Sequence, residues 1–379
     1  MDAHASKRTS VILPTYNRVA LLEKSLNAVL AQIDDRDELI VVDDGSSDGT
    51  GDFLARYANR IDTIRQANGG KAKALNEGLR RARGEFVWIV DDDDIVCPTA
   101  HGDLLHLFER DPSIDIAYGR HRRFREDGDG NIELLDTGYW NDCPPSELFV
   151  ATLEDFFVHQ PGMLVKRSLY GAVGGFDESL PRSIDYEMLI RLAGRGTAAA
   201  TDRVIFHQRL HEGDRGPATS RMKARDRDAN WVSHDARIFA KLHETLPLES
   251  YAPQRRLAEA RQRRRALLQR GTIMARKKHW GLALADFDSA LSESRDHLSD
   301  EEKRIIRRAT GSKYGCDEAI GNPEIDRGLA ALRRNHPHGR DLTRAMARGL
   351  VWRARQAVSR GKPRDASRIA LQACRWMIS

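Results

Sequence analysis

Early in the chain, three short apolar runs rich in β-branched residues each give way abruptly to polar turn formers: residues 9–13 (TSVIL), 38–42 (ELIVV) and 86–90 (FVWIV). Runs of this length, with consecutive apolar residues rather than alternation, predict strands buried on both faces. Between them, residues 18–32 carry apolar side chains at helical spacing (Leu22, Leu26, Val29, Leu30), and 50–60 do the same more weakly. The order strand, helix, strand, helix, strand predicts an α/β domain with a doubly wound sheet, whose ligands bind beyond the carboxyl ends of the strands.

The residues at those ends are polar and chemically useful. Pro14-Thr15-Tyr16-Asn17 follows the first run, Asp43-Asp44-Gly45-Ser46 the second and Asp91-Asp92-Asp93-Asp94 the third. Four consecutive aspartates repel one another in a partly desolvated place unless a cation sits among them. A hard divalent ion, Mn²⁺ or Mg²⁺, takes carboxylate oxygens together with substrate phosphates, which suits a diphosphate leaving group. An acidic helix N-cap is the plainer alternative, although one cap does not need four carboxylates. Asp43 and Asp44 are suited to accept hydrogen bonds from a base or ribose, and an Asp-Gly turn also serves the backbone alone.

The segments SVILPTYNR (10–18), ELIVVDDGSSDGT (38–50), NGGKAKALNEGLRRARGEF (68–86) and VDDDD (90–94) together resemble the family 2 glycosyltransferases. The resemblance implies a GT-A fold, a nucleotide-sugar donor (a UDP-sugar is favoured), a divalent metal at a D-x-D motif and inversion at the sugar carbon. It puts Pro14, Thr15 and Asn17, with Tyr16 and Arg18 beside them, on the donor-binding first loop, and Asp44 with Asp43 on the base-recognition turn. Lys71, Lys73 and Asn76 match the segment lining the donor pocket. The D-x-D reads as Asp91-x-Asp93 or Asp92-x-Asp94; the first is preferred because of the place of Pro98, with Asp91 and Asp93 on the metal and Asp92 toward the donor.

Inverting transfer needs a carboxylate to take the acceptor proton. In the family an acidic pair opening a helix, after a Gly-Gly-Phe-Asp-Glu turn, supplies it; here Gly174-Gly175-Phe176-Asp177-Glu178 precedes Ile184-Asp185, so Asp185 matches the base and Ile184 replaces its acidic neighbour. By the same likeness His159-Gln160-Pro161-Gly162-Met163 underlies the acceptor, and His211, in Arg209-Leu210-His211-Glu212-Gly213, approaches the metal or diphosphate. Gln372-Ala373-Cys374-Arg375-Trp376 spells the Q-x-x-R-W of processive synthases, but at the chain's end. It is read as chance, which favours a non-processive enzyme.

The domain expectation is a glycosyltransferase domain over 1–220, with 1–100 the nucleotide-sugar half and 101–220 the acceptor half, then an α-helical domain over 221–379. Gly271, Trp280, Ala283, Phe287 and Ala290 fall as in a tetratricopeptide-like helix pair, with a weaker echo at Gly361, Ala366, Ala370 and Ala373. The composition, 40% hydrophobic and 31% charged, is that of a globular protein. No apolar run approaches the roughly 20 residues that cross a bilayer, and Met1–Ser10 lacks a secretory core, so a cytoplasmic place is expected. The net charge of +5 is concentrated: residues 251–278 hold ten Arg or Lys against Glu259. That stretch reads as a solvated helix face, or as a contact with an anionic membrane face or acidic protein; nucleic acid is not expected. The acceptor class stays open among glycan, lipid-linked and protein hydroxyls. The competing reading of the whole chain is a catalytically silent sugar-nucleotide or protein-binding module.

Overall fold

The structure, a computed structural model, describes residues 7–210, 227–252 and 256–378. The chain divides into two compact units: Met1–Thr152 with Phe156–Ala224, and Leu153–Asp155 with Arg225–Ser379.

The first unit runs β1 (Thr9–Thr15), α1 (Val19–Leu30), β2 (Glu38–Asp43), α2 (Thr50–Ala55), β3 (Asp62–Arg65), α3 (Lys71–Arg81), β4 (Phe86–Ile89), β5 (Ile95–Val96) and α4 (Ala100–Arg110). It continues through β6 (Ile116–Glu126), β7 (Ile132–Leu134), α5 (Leu148–Glu154), β8 (Met163–Lys166), α6 (Arg167–Val173), α7 (Ile184–Arg195) and β9 (Ala198–Arg209). One sheet holds the strands in the order β3-β2-β1-β4-β8-β6-β9-β5, with β7 on β6. From β3 to β4 the strands are parallel, β8 runs antiparallel to both β4 and β6, and β6 lies parallel to β9. The sheet is mixed, wound as expected only in its first half.

Side chains along each strand alternate between two buried faces. Ile12, Ile40, Val42, Val87 and Ile89 pack with Ala72 and Leu75 of α3 and Met188, Leu189 and Leu192 of α7. Val11, Leu13, Leu39, Val41, Trp88 and Val90 pack with Leu22, Leu26 and Val29 of α1 and Leu104 and Phe108 of α4. Helices on both faces explain why the middle of each of these strands is apolar at consecutive positions. Close approach sets one residue choice: a Cβ on Gly78 would come 2.5 Å from Ile12 Cγ2, so α3 lies on β1 only with glycine there.

The second unit carries α8 (Arg227–Thr245), α9 (Ala260–Arg276), α10 (Trp280–Glu293), α11 (Asp300–Arg307), α12 (Pro323–Asn335), α13 (Gly339–Ser359) and α14 (Pro363–Ile378). Stop and start signals are local: Ser299 and Glu302 form a reciprocal cap on α11, and Asn322 caps α12 ahead of Pro323. Among the described residues no helix is long and apolar enough to cross a membrane. In the α9–α10 pair, Gly271 lies so close to Phe287 that a Cβ would come 2.8 Å from its ring, the close approach expected of small residues there. The echo in α14 is only partial, because Ala366 and Ala373 are buried but Ala370 is exposed.

Two sequence features take on a structural meaning in this unit. The basic run is largely spent on ion pairs: Arg261 with Asp296 (2.8 Å), Arg263 with Glu293 (2.8 Å), Arg264 with Glu302 (2.6 Å), Arg270 with Asp286 (2.6 Å), and Arg276 with Asp155. It is therefore not the uniform cationic face its composition suggests. The terminal Q-x-x-R-W converges on one carboxylate of α12, Gln372 and Trp376 each donating to Asp326 at 2.7 Å and Arg375 at 3.0 Å.

Candidate active site

The register levels the strand ends. Thr15 pairs with Asp43 across β1 and β2, and Ile12 with Ile89 across β1 and β4. Carried three residues past β4, the second pairing brings Asp92 beside Thr15, and the Thr15 hydroxyl donates to Asp92 Oδ2 at 2.8 Å. Thr15, Asp43 and the aspartates at 91–94 thus stand on one rim.

Within the acidic turn the four carboxylates divide. Asp92 is turned away, held by Thr15 and by the Arg18 guanidinium at 2.9 Å, which also reaches Asp93 at 2.8 Å. Asp91, Asp93 and Asp94 each present an oxygen within 4.8 Å of the others. Asp94 is fixed by the backbone N–H of Arg209 at 2.9 Å, while the Arg209 guanidinium binds the Asp93 carbonyl at 3.0 Å. Burial raises the pKa of Asp91, of Asp92 to about 6, and of Asp94 well above the carboxylate range, with repulsion from Asp93 adding to each. Oxygen ligands clustered this tightly and this unwilling to be charged together suit a hard divalent cation. The preferred pair Asp91 and Asp93 lies in the cluster; its third member, Asp94, comes from the alternative pair, whose other residue, Asp92, is outside it.

The first loop is braced against the second. Asn17, at φ 51°, donates its backbone N–H to Ser46 Oγ at 2.9 Å and accepts from the Ser47 N–H at 2.7 Å. Pro14 is buried at the end of β1, and Tyr16 is half-buried beside it. Asp43 and Asp44 have opposite employments. Asp44 is consumed internally by the Gln66 amide (2.7 Å) and the N–H groups of Gly69 (2.9 Å) and Gly70 (2.8 Å). Asp43 accepts from the Ser46 N–H at 2.8 Å through Oδ1, while Oδ2 has no hydrogen-bond partner and Arg65 Nε at 3.7 Å. Gly45, at φ 83°, turns the chain directly after them, where a Cβ would meet Asn68 N at 2.9 Å.

Across the rim, Asp185 lies in the first turn of α7, one residue inside the helix rather than at its cap, which is Ser183. Lys71, opening α3, sets its ammonium 3.2 Å from Asp185 Oδ2 and 2.8 Å from Asp91 Oδ1. These two carboxylates raise its pKa against the opposing effect of burial, which is the largest single influence. Asp185 Oδ1 is sheltered and accepts no hydrogen bond. Lys73 is exposed, and Asn76 is occupied elsewhere, donating to the Phe176 carbonyl (3.0 Å) and Glu178 (2.8 Å) and accepting from the Phe176 N–H (2.7 Å). Of the three residues expected along the donor pocket, Lys71 alone reaches the acidic rim. His211 lies outside the described residues. Gln160, 1% exposed, has neither amide atom hydrogen-bonded and stands in the short turn that leads into β8.

Residues 10–174 match the family model described as glycosyl transferase family 2. An uncharacterized glycosyltransferase of Rickettsia felis is 25% identical over 207 residues, covering 53% of this chain and 34% of that protein. A chondroitin synthase of Escherichia coli is 30% identical over 210 residues, covering 53% and 29%. The match thus spans about a third of these relatives' own length. The crystal structure of TarS from S. aureus superposes over 96% of this chain and 55% of its own, with a TM-score of 0.50 at 17% identity, a likeness of fold. The matched motifs and the strand rim they build thus place the likeness to glycosyl transferase family 2 on residues 10–174.

Proposed function

We propose that the N-terminal domain transfers a sugar from a nucleotide-diphosphate sugar to an acceptor hydroxyl, with inversion and without processivity. The observation that carries this reading is the Asp91–Lys71–Asp185 bridge, which ties the acidic rim to a carboxylate with one uncommitted oxygen. Asp185 Oδ1 takes the proton as the acceptor oxygen attacks the sugar carbon and the bond to the diphosphate breaks. Lys71 holds Asp185 and Asp91 together by offsetting their repulsion. Asp43, whose Oδ2 is uncommitted, is assigned to the nucleotide base, and Asp44 shapes the loop that presents it. Arg18 offers a cation at the same rim for phosphate.

Asp91, Asp93 and Asp94 are the residues that would hold Mn²⁺ or Mg²⁺, and such an ion stabilises negative charge on a leaving diphosphate. The acceptor is a glycan, lipid-linked or protein hydroxyl. Calorimetric titration of UDP and GDP with and without Mn²⁺ tests the reading, and a donor-hydrolysis screen across nucleotide sugars names the sugar. Metal-dependent nucleotide binding is expected. Absence of any nucleotide binding would favour a silent scaffold instead.

A further inference from the structure

Helix α12 ends in Arg333-Arg334-Asn335, and α13 begins four residues later with Gly339-Arg340. Between them lies a depression of about 480 Å³ lined by Arg333, Arg334, Asn335, His336, Pro337 and Arg340. The Nε and Nη1 of Arg333 are closed off from solvent and have no hydrogen-bond acceptor. Burial lowers its pKa, and Arg334 and Arg340 add to the effect against Asp326. The carboxylates in reach are already engaged: Asp326 by Gln372, Arg375 and Trp376, Asp288 by His336 at 2.8 Å, and Asp341 by His338 at 3.4 Å. Among the described residues, no ion pair forms to Arg333, Arg334 or Arg340. The contrast with the paired arginines of α9 is sharp, since there each guanidinium named above has its own carboxylate.

We propose that Arg333, Arg334 and Arg340 form a binding site for a phosphate-type oxyanion in the helical unit. A guanidinium group matches two oxygens of such an anion, and three of them around one concavity gather positive charge that no ion pair among the described residues neutralises. No Phe, Tyr or Trp lines the depression to stack a base, and the His336 ring is engaged with Asp288, so a phosphate group fits it better than a nucleic-acid strand. The same chemistry is offered by free phosphate or by a phospholipid headgroup.

The test titrates inorganic phosphate into the full chain against chloride of equal ionic strength, by calorimetry and thermal shift. Arg333→Gln is expected to weaken binding about tenfold or more, and Arg340→Gln several-fold. Because Arg340 is exposed, Arg340→Gln keeps the test readable even where Arg333→Gln does not fold. Sedimentation with phosphatidylglycerol and phosphatidylcholine vesicles separates the sources: retention on the anionic vesicles that is lost in Arg340→Gln assigns a lipid headgroup, and weakened binding of free phosphate alone assigns a soluble anion. Equal phosphate and vesicle binding by wild type and Arg340→Gln overturns the proposal.

Discussion

The ammonium of Lys71 stands 3.2 Å from the carboxylate of Asp185, although 114 residues separate them in the chain. Its second partner, Asp91 at 2.8 Å, makes it the link between the acidic rim and the assigned base. Lys71→Met is expected to lower kcat about 10²-fold, because two carboxylates are then left facing each other across the reacting atoms. Steady-state kinetics on any donor that the screen identifies provides the measurement, and an unchanged kcat would make the bridge incidental.

Asp185→Asn keeps the shape of the side chain and removes its basicity. Transfer should fall about 10²- to 10⁴-fold, with nucleotide binding by calorimetry essentially retained. Wild-type rates in this variant mean that another group takes the proton.

Asp93→Ala removes one of three clustered oxygens and a partner of Arg18. Donor turnover that responds to Mn²⁺ in the wild type should lose that response. A variant that keeps the same metal dependence places the ion elsewhere.

The two aspartates of the second turn should separate cleanly. Asp44→Ala deletes a carboxylate that three donors share, and a loss of about 2–5 kcal/mol in unfolding free energy is expected. Asp43→Asn preserves the acceptor for Ser46 and changes the uncommitted side, so thermal stability should hold while UDP or GDP affinity falls. Equal nucleotide affinity in Asp43→Asn removes that residue from the nucleotide site.

His101 is buried, stacked on Trp88 and hydrogen-bonded to Thr9 at 2.9 Å, and burial lowers its pKa below the ordinary histidine value. Below about pH 6.5 the unfolded chain therefore takes up a proton that the folded chain refuses, so stability falls as acid is added. Urea unfolding at about pH 7.5 and about pH 5.5 should show a lower midpoint in acid, with a smaller drop in His101→Asn. An identical drop in both proteins assigns the acid sensitivity to other groups.

The parallel strands were legible because burial on both faces leaves consecutive apolar residues, as at 11–13 and 39–42. The far half of the sheet left no such trace. β6 reads IAYGRHRRFRE, with exposed or half-buried charges from Arg120 onward, and its partner β9 lies far along the chain. Likewise the motifs brought Lys71 to the right helix, but not its place between two carboxylates, which depends on α7 docking beside α3. The sequence put Asp44 on the base-recognition turn with Asp43 beside it; only the fold of residues 66–70 shows that Asp44 is the one engaged internally. The basic run misled for a similar reason, since the acids that pair with its arginines lie mostly on later segments, while the unpaired arginines at 333–340 carry no compositional signal.

Asp44 grips the N–H of Gly70, and the next residue is Lys71. The turn assigned to the nucleotide and the link between rim and base therefore share adjacent peptides, with no slack of chain between them. A substitution at Gly70 is therefore expected to disturb Asp44 and Lys71 together, although neither side chain is itself changed.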